Sequence, residues 1–336
     1  MARLDGPLSS TVDDVRDAVF APHYPALGRL LEFEAMALDS RVSNQHFRLT
    51  TERGQFILKQ VLRPDALFER AGIERLAVVS RVIRALGEQR LRVERIVPAA
   101  DGALCLSHGP SIFRLYEWVE GRAFDRSDRD LSAAARALRA FHERGLPALD
   151  SALVLALSGF STPYPLAETA TRVDQIFAFL RNEPTPELLA IAEHEALLRE
   201  EIEIGLCADK ENVPDQLVHL DFHPDNVIFV SGQEPVIIDL DNILIGDPRK
   251  CLAFSVMRFA PKGELLRSLA VWKSSYGIES SRQLFDFMTQ IEVEKILRIV
   301  YRVIATGAYR NFLPNILSRH VPNLIEIRGA RAAFRD

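Results

Sequence analysis

Apolar residues recur along this chain with two different periods, and the change of period divides it. Near the front, "EFEAMAL", "QHFRLTTERGQFILKQV" and "SIFRLYEWV" alternate apolar and polar positions over short runs, as half-buried strands do. The middle stretch holds a hairpin, with "HFRLT" and "QFILKQV" joined through "TERG". Before the last strand, "DALFERAGIERLAVVSRVIRAL" sets Leu67, Ile73, Leu76, Val79, Ile83 and Leu86 at helical spacing. Residues 25–119 thus read as a small β-rich lobe with one long helix, following an N-terminal extension, 1–24. The segment "YEWVEG", 116–121, is the natural joint between this lobe and the remainder of the chain.

Beyond the joint the helical period takes over. "DLSAAARALRAFHERG" places Leu131, Ala134, Leu138 and Phe141 on one stripe, with Gly145 as its stop. Residues 165–210 read as helices broken at "NEPTPE", and helical patterns run from Arg249 onward. Between them, short strands flank "HLDFHPDN", and another carries "PVIID". The expected fold class is α+β: a small β-rich N-terminal lobe and a larger, mainly helical C-terminal lobe over 120–336.

Composition changes this picture little. Of 336 residues 48% are hydrophobic, enough for two cores, and the formal charge of -5 argues against a nucleic-acid partner. Cys105, Cys207 and Cys251 lie far apart without CxxC spacing, which excludes a structural zinc motif and suits a reducing compartment. The opening "MARLDGPLSSTVDDV" lacks the apolar run of a signal peptide, and no stretch reaches the roughly 18 apolar residues of a membrane helix. The expectation is a cytoplasmic protein with no membrane partner.

The stretch "LVHLDFHPDNVIFV", 217–230, crowds His219, Asp221, His223, Asp225 and Asn226 between two pieces of apparent core. Its pattern H-x-D-x-x-x-x-N is followed, thirteen residues after Asn226, by Asp239 at the end of "PVIID". Phosphoryl transfer needs hard oxygen ligands for Mg²⁺ and a carboxylate to accept the proton of the attacking hydroxyl. An acid and an amide on one loop, with a second acid at a strand end, meet both needs.

"HLDFHPDNVIF" followed by "VIIDLDNILIGDP" resembles the aminoglycoside phosphotransferase and choline kinase superfamily, whose fold is protein-kinase-like. That resemblance implies an ATP- and Mg²⁺-dependent kinase acting on a small-molecule hydroxyl: an amino alcohol, a sugar or an aminoglycoside. It makes Asp221 the catalytic base, has His219 brace the loop, and gives Asn226 and Asp239 to the metal. Asp241 would assist the metal or a substrate. In the front lobe "SNQHFRLTTERGQFILK" is similar to the family's first hairpin, so Lys59 would reach the ATP phosphates and Ile57 the adenine. Glu74 or Glu69 would hold that lysine, Glu74 being favoured by the stronger periodic run around it. "FRLYEWVEGRAF" resembles the hinge, where backbone groups of Glu117 to Val119 would meet the adenine edge.

Two departures stand out. The phosphate-covering loop reads "LDSRVSN" without glycine, so Asp39, Ser40 and Arg41 must do its work, with Ser43 and Asn44 donating to phosphate oxygens. After "GDP", an aspartate usual in the family is replaced by Cys251. Two rival readings differ in class. A metal-dependent hydrolase would use His219, Asp221, His223, Asp225, Asp239 and Asp241, but leaves Lys59 without a role. A pseudokinase would bind nucleotide without turnover.

Overall fold

The computed structural model describes residues 12–36, 44–61, 72–109, 111–160, 166, 170–182, 185–210, 213, 215–278, 280–307 and 310–334. The chain divides into two compact units that are not contiguous in sequence. One comprises residues up to 122 together with 147–160 and 230–241; the other holds 123–146, 161–229 and 242–336. The two inserted segments of the first unit had no counterpart in the expected lobes, since nothing in a local pattern reports a long-range return.

The first unit is built on an antiparallel sheet. Its strands are β1 (Leu30–Ala35), β2 (Asn44–Thr51), β3 (Gly54–Val61), β4 (Ile96–Val97), β5 (Leu106–His108) and β6 (Ser111–Glu117), ordered β1-β2-β3-β6-β4 with β5 also on β6. The hairpin expected at "TERG" is present, turning at Glu52 and Arg53, and Gly54 takes a φ of +133° that residues with a Cβ rarely adopt. Alternation puts Phe47, Leu49, Phe56 and Leu58 on one face. Val15, Val19, Phe20 and Tyr24, from a helical stretch that the sequence pattern did not predict, cover them. Helix α1 (Gly72–Glu88) contributes Leu76, which packs with Val61 on the strand's other face. The expected helix began earlier; its first residues lie outside those described.

The second unit is helical, with α2 (Asp128–Gly145), α4 (Val173–Asn182), α5 (Pro186–Ala192), α6 (Glu195–Lys210), α7 (Pro248–Phe259), α8 (Leu265–Trp272), α9 (Ser281–Thr306) and α10 (Val321–Ala333); α3 (Ser151–Ser158) belongs to the first unit. Helix α2 starts at Ser127, whose hydroxyl accepts the Asp130 amide, and ends at Gly145 as expected. The break at "NEPTPE" separates α4 from α5. The core gathers Ile176, Phe177, Leu188 and Leu198 against Val293, Ile296 and Val300 of α9. Strands β7 (Gln216–His219) and β8 (Ile243–Gly246) pair antiparallel, with Ile243 opposite His219. The sheet followed by a mainly helical region makes the fold α+β. No helix among the described residues is long and apolar enough to cross a membrane.

Candidate active site

In the sheet-bearing unit, strand register sets Lys59 opposite His46 on β2 and opposite Arg114 on β6. Successive side chains alternate, so Ile57, Lys59, Arg114 and Tyr116 share one face. Lys59 and Arg114 are both buried, at 4% and 0% exposure, and buried cations need counter-ions. Segment 230–241 delivers them. Ile237 bridges Val93 in parallel, donating its amide to Arg92 O at 2.9 Å and accepting from the Glu94 amide at 2.8 Å. The chain then turns, bringing Asp239 Oδ1 to 2.5 Å and Asp241 Oδ2 to 2.7 Å from Lys59 Nζ. The other oxygen of Asp241 takes Arg114 Nη2 at 2.5 Å.

Asp239 has φ of 56°, a left-handed conformation that costs a non-glycine residue about 1–3 kcal/mol. Glu94 holds the turn: its two carboxylate oxygens accept the amides of Asp239 and Leu240, each at 3.1 Å. Burial pushes the Glu94 carboxyl up to about 7, with Lys59 opposing and the Asp239 charge reinforcing the shift. Burial alone would also raise Asp241, but Arg114 and Lys59 outweigh it and hold that carboxyl well below the usual range. Burial would depress Lys59, yet Asp239 and Asp241 carry it above its ordinary value, so it stays charged. Its neighbour His46 is pulled down to about 4, by burial first and then by Lys59, and is neutral.

In the helical unit the polar stretch is a loop anchored by its one large apolar residue. Phe222 is fully buried, stacking at 5.5 Å between ring centroids on Phe259, which in turn meets Phe124 and Trp272. Burying such a ring stabilises by about 1.5–3 kcal/mol. His219 ends β7 fully buried, and its Nδ1 accepts the Asp221 amide at 3.3 Å. The Cys251 thiol donates to the His219 carbonyl at 3.1 Å and so braces this strand end. Burial pushes that thiol up to about 12, which leaves it unreactive.

Pro224–Asn226 forms a single 3₁₀ turn, capped by His223 Nδ1 accepting the Asp225 amide. That bond leaves the His223 proton on Nε2, which lies 3.5 Å from Asp221 Oδ2. Burial raises the Asp221 carboxyl, but the hydrogen bond from His223, helped by the Arg258 cation, outweighs it. Asp221 therefore titrates below the usual carboxylate value and is ionised at neutral pH. Asn226 is buried and donates its Nδ2 to the Asp221 carbonyl at 2.9 Å, which fixes the orientation of its amide.

The structure thus gathers Lys59 with Asp239 in one unit, and His219, Asp221 and Asn226 in the other. Ile57 is half-buried on the face of Lys59. Asn44 begins β2, opposite Val61. Glu117 ends β6, its amide bonded to Arg95 O and that of Trp118 to Gln55 O, while Val119 follows half-buried. Ser40, Ser43 and Glu69 lie outside the described residues. Glu74 is exposed on the first turn of α1, where Arg75 takes the buried position, and among the described residues the partners of Lys59 are Asp239 and Asp241. Both oxygens of Asp241, expected to assist the metal or a substrate, are taken by Lys59 and Arg114. Sequence reasoning missed Arg114 and Glu94. For Arg114 the signal was there, a lone charge inside the apolar run "IFRLY"; Glu94 sits between Arg92 and Arg95 in "RVERIV" and carried no such signal.

The profile of the phosphotransferase enzyme family matches residues 34–276 of this chain. The chain belongs to that family. Among curated relatives, this phosphotransferase-family protein is 27% identical over 218 residues to the homoserine kinase of Sinorhizobium fredii, covering 63% of the chain and 59% of that kinase. It thus spans about three fifths of the relative's length. Among solved structures, spectinomycin phosphotransferase APH(9)-Ia in complex with ADP and spectinomycin superimposes with a TM-score of 0.71 at 13% identity, covering 96% of this chain and 98% of that one. A microcompartment-associated aminopropanol kinase gives 0.63 at 15% identity, covering 90% and 93%. These structural likenesses show a shared fold.

Proposed function

We propose that this protein is a kinase that moves the γ-phosphoryl group of ATP to a hydroxyl of a small molecule. The observation that carries the reading is the ion pair of Lys59 and Asp239, 180 residues apart in sequence and 2.5 Å apart in space. A buried, permanently charged lysine beside a half-exposed carboxylate suits a site that receives phosphate and a divalent cation together.

In this reading Lys59 steadies the ATP phosphates, with Asp241 and Arg114 as the fixed ions that hold it, in the place expected of Glu74. Ser40, Ser43 and Asn44 would donate to phosphate oxygens. Ile57 would line the adenine, and the Glu117 carbonyl and Val119 amide would meet its edge. Asn226 and Asp239 would hold Mg²⁺, whose bound charge neutralises the phosphate oxygens. The donor set fits: magnesium takes one or two carboxylates plus phosphate oxygens rather than a full protein cage. Correspondingly, no group of three or more His, Cys, Asp or Glu poised for a metal occurs among the described residues. Asp241, bound to two cations, and His219, with Nδ1 on a backbone amide, do not suit the hydrolase alternative.

Asp221, ionised and steadied by His223, would accept the hydrogen bond of the acceptor hydroxyl, orient its oxygen and take the proton as the new O–P bond forms and ADP departs. A carboxylate this acidic is a weak base, so most of the rate comes from positioning and charge stabilisation. Purified protein with MgATP and a panel of amino alcohols, hydroxy amino acids, sugars and aminoglycosides tests this, read by ADP release. Acceptor-dependent ADP supports the kinase; nucleotide binding with no ADP from any acceptor supports the pseudokinase instead. The relatives' names do not choose the acceptor, since homoserine carries a carboxylate and aminopropanol does not.

A further inference from the structure

Close to Asp221 in the helical unit lies a group of cations that phosphoryl transfer by Asp221 does not use. Arg258 on α7 and Lys295 on α9 stand over the same ring, Phe254, at 5.6 Å and 4.4 Å from its centroid. Arg258 Nε is shut off from solvent and has no hydrogen-bond partner among the described residues. Lys295 rests its ammonium on the ring rather than on a carboxylate. Glu292, one turn before it on α9, is committed elsewhere: it takes His320 Nδ1 at 2.5 Å and Asn323 Nδ2 at 3.2 Å.

Arg258 also lines a cavity of about 160 Å³, many times the space of one water. Lys262, Arg319, Asn323 and Glu326 line it too. Glu326 is itself occupied by the amides of Gly263 and Leu265. The wall is therefore net positive. Burial pulls Lys295 down and Glu292 holds it up, while the neighbouring Arg258 and Arg298 cations lower it further, as like charges do. Burial lowers Arg258 in turn, with Asp221 the leading charge that opposes it, so this arginine lies within the field of the proposed base.

Glu292 and Asp221 act on these cations at longer range, but neither Arg258 nor Lys295 has a direct ion pair among the described residues, and an anion supplied from solution would provide it. We propose that the acceptor of this enzyme bears an anionic group, a carboxylate or a phosphate ester, which binds Arg258 and Lys295 while its hydroxyl meets Asp221. This rests on the kinase reading for the identity of the acceptor, but the anion site stands on its own geometry. It separates this chain from members of the fold whose acceptors are purely cationic, for which these residues would be repulsive.

The test titrates the full chain with three probes of matched length, L-homoserine, 4-hydroxybutyrate and 3-amino-1-propanol, plus glycerol 3-phosphate, in the presence of MgATP. Heat of binding and ADP release are read separately. The two carboxylate probes, or glycerol 3-phosphate if the group is a phosphate ester, are expected to bind at least tenfold more tightly than 3-amino-1-propanol. Arg258→Gln and Lys295→Gln should each erase about tenfold of that preference, and Arg258→Lys should keep most of it. No ion pair among the described residues is lost in these variants, so they are expected to fold; their melting curves are compared with wild type. Tighter binding of 3-amino-1-propanol, no binding of any anionic probe, or anion affinity indifferent to both substitutions overturns the inference. Anion binding that obeys the predicted pattern with no ADP release from any acceptor leaves the anion site standing and removes the kinase reading.

Discussion

In the sheet-bearing unit Lys59 and Arg114 share the carboxylate of Asp241, with Asp239 also on Lys59, whereas in the helical unit Arg258 and Lys295 share the ring of Phe254 and feel Asp221 and Glu292 only at longer range. Both groups are cations largely withdrawn from water. The first is neutralised within the chain, with Glu94 bonding the backbone that carries its acids. The second is not. A closed network of this kind holds a functional lysine at one point and costs several kcal/mol to break. An open one loses little when a cation is removed and gains when an anion arrives. Charge that the fold has already satisfied is scaffold; charge that it has left waiting points to a ligand.

The contrast can be broken at several places. Asp221→Ala carries the largest expected effect, lowering turnover about 10² to 10⁴-fold with MgATP affinity little changed, as steady-state kinetics beside calorimetry would register. Near-normal turnover would take the base away from Asp221. Asp241→Asn leaves Lys59 and Arg114 short of a buried counter-charge and should cost about 3–5 kcal/mol of stability in urea unfolding. Arg258→Gln in the same assay should stay within about 1 kcal/mol of wild type, since no ion pair among the described residues is lost. Equal losses in the two would erase the distinction between closed and open networks. Lys59→Met should weaken MgATP binding by about tenfold or more, the worth of a charge-assisted bond to phosphate. The smallest effect belongs to Glu74→Gln, which should leave MgATP affinity as it was; a tenfold loss would return that glutamate to the lysine.

Much of the fold and the site was legible in the residues. The hairpin over β2 and β3, the helix from Asp128 to Gly145 and the loop around Asp221 arise from period, caps and turn residues that act locally. Lys59 and Asp239 could be named because a motif fixes each within its own element. The partner of Lys59 was not legible. Spacing along α1 offered Glu74, and only the return of segment 230–241 onto β3 and β6 shows Asp241 in its place, a contact set by tertiary packing rather than by pattern. Strands as short as β4 leave no period to read, and Glu94, between Arg92 and Arg95, looks in sequence like any surface charge. The pairing of Arg258 with Lys295 depends on how two helices pack, which neither helix's own periodicity records.

The most direct measurement is ADP release by the purified protein with MgATP and each acceptor of the panel, wild type beside Asp221→Ala. At least one hydroxyl compound is expected to raise ADP release in the wild type well above its rate without acceptor, and Asp221→Ala to lose that increment while still binding MgATP. Bound nucleotide with no acceptor-dependent ADP in either protein, or an increment that survives in Asp221→Ala, would contradict it.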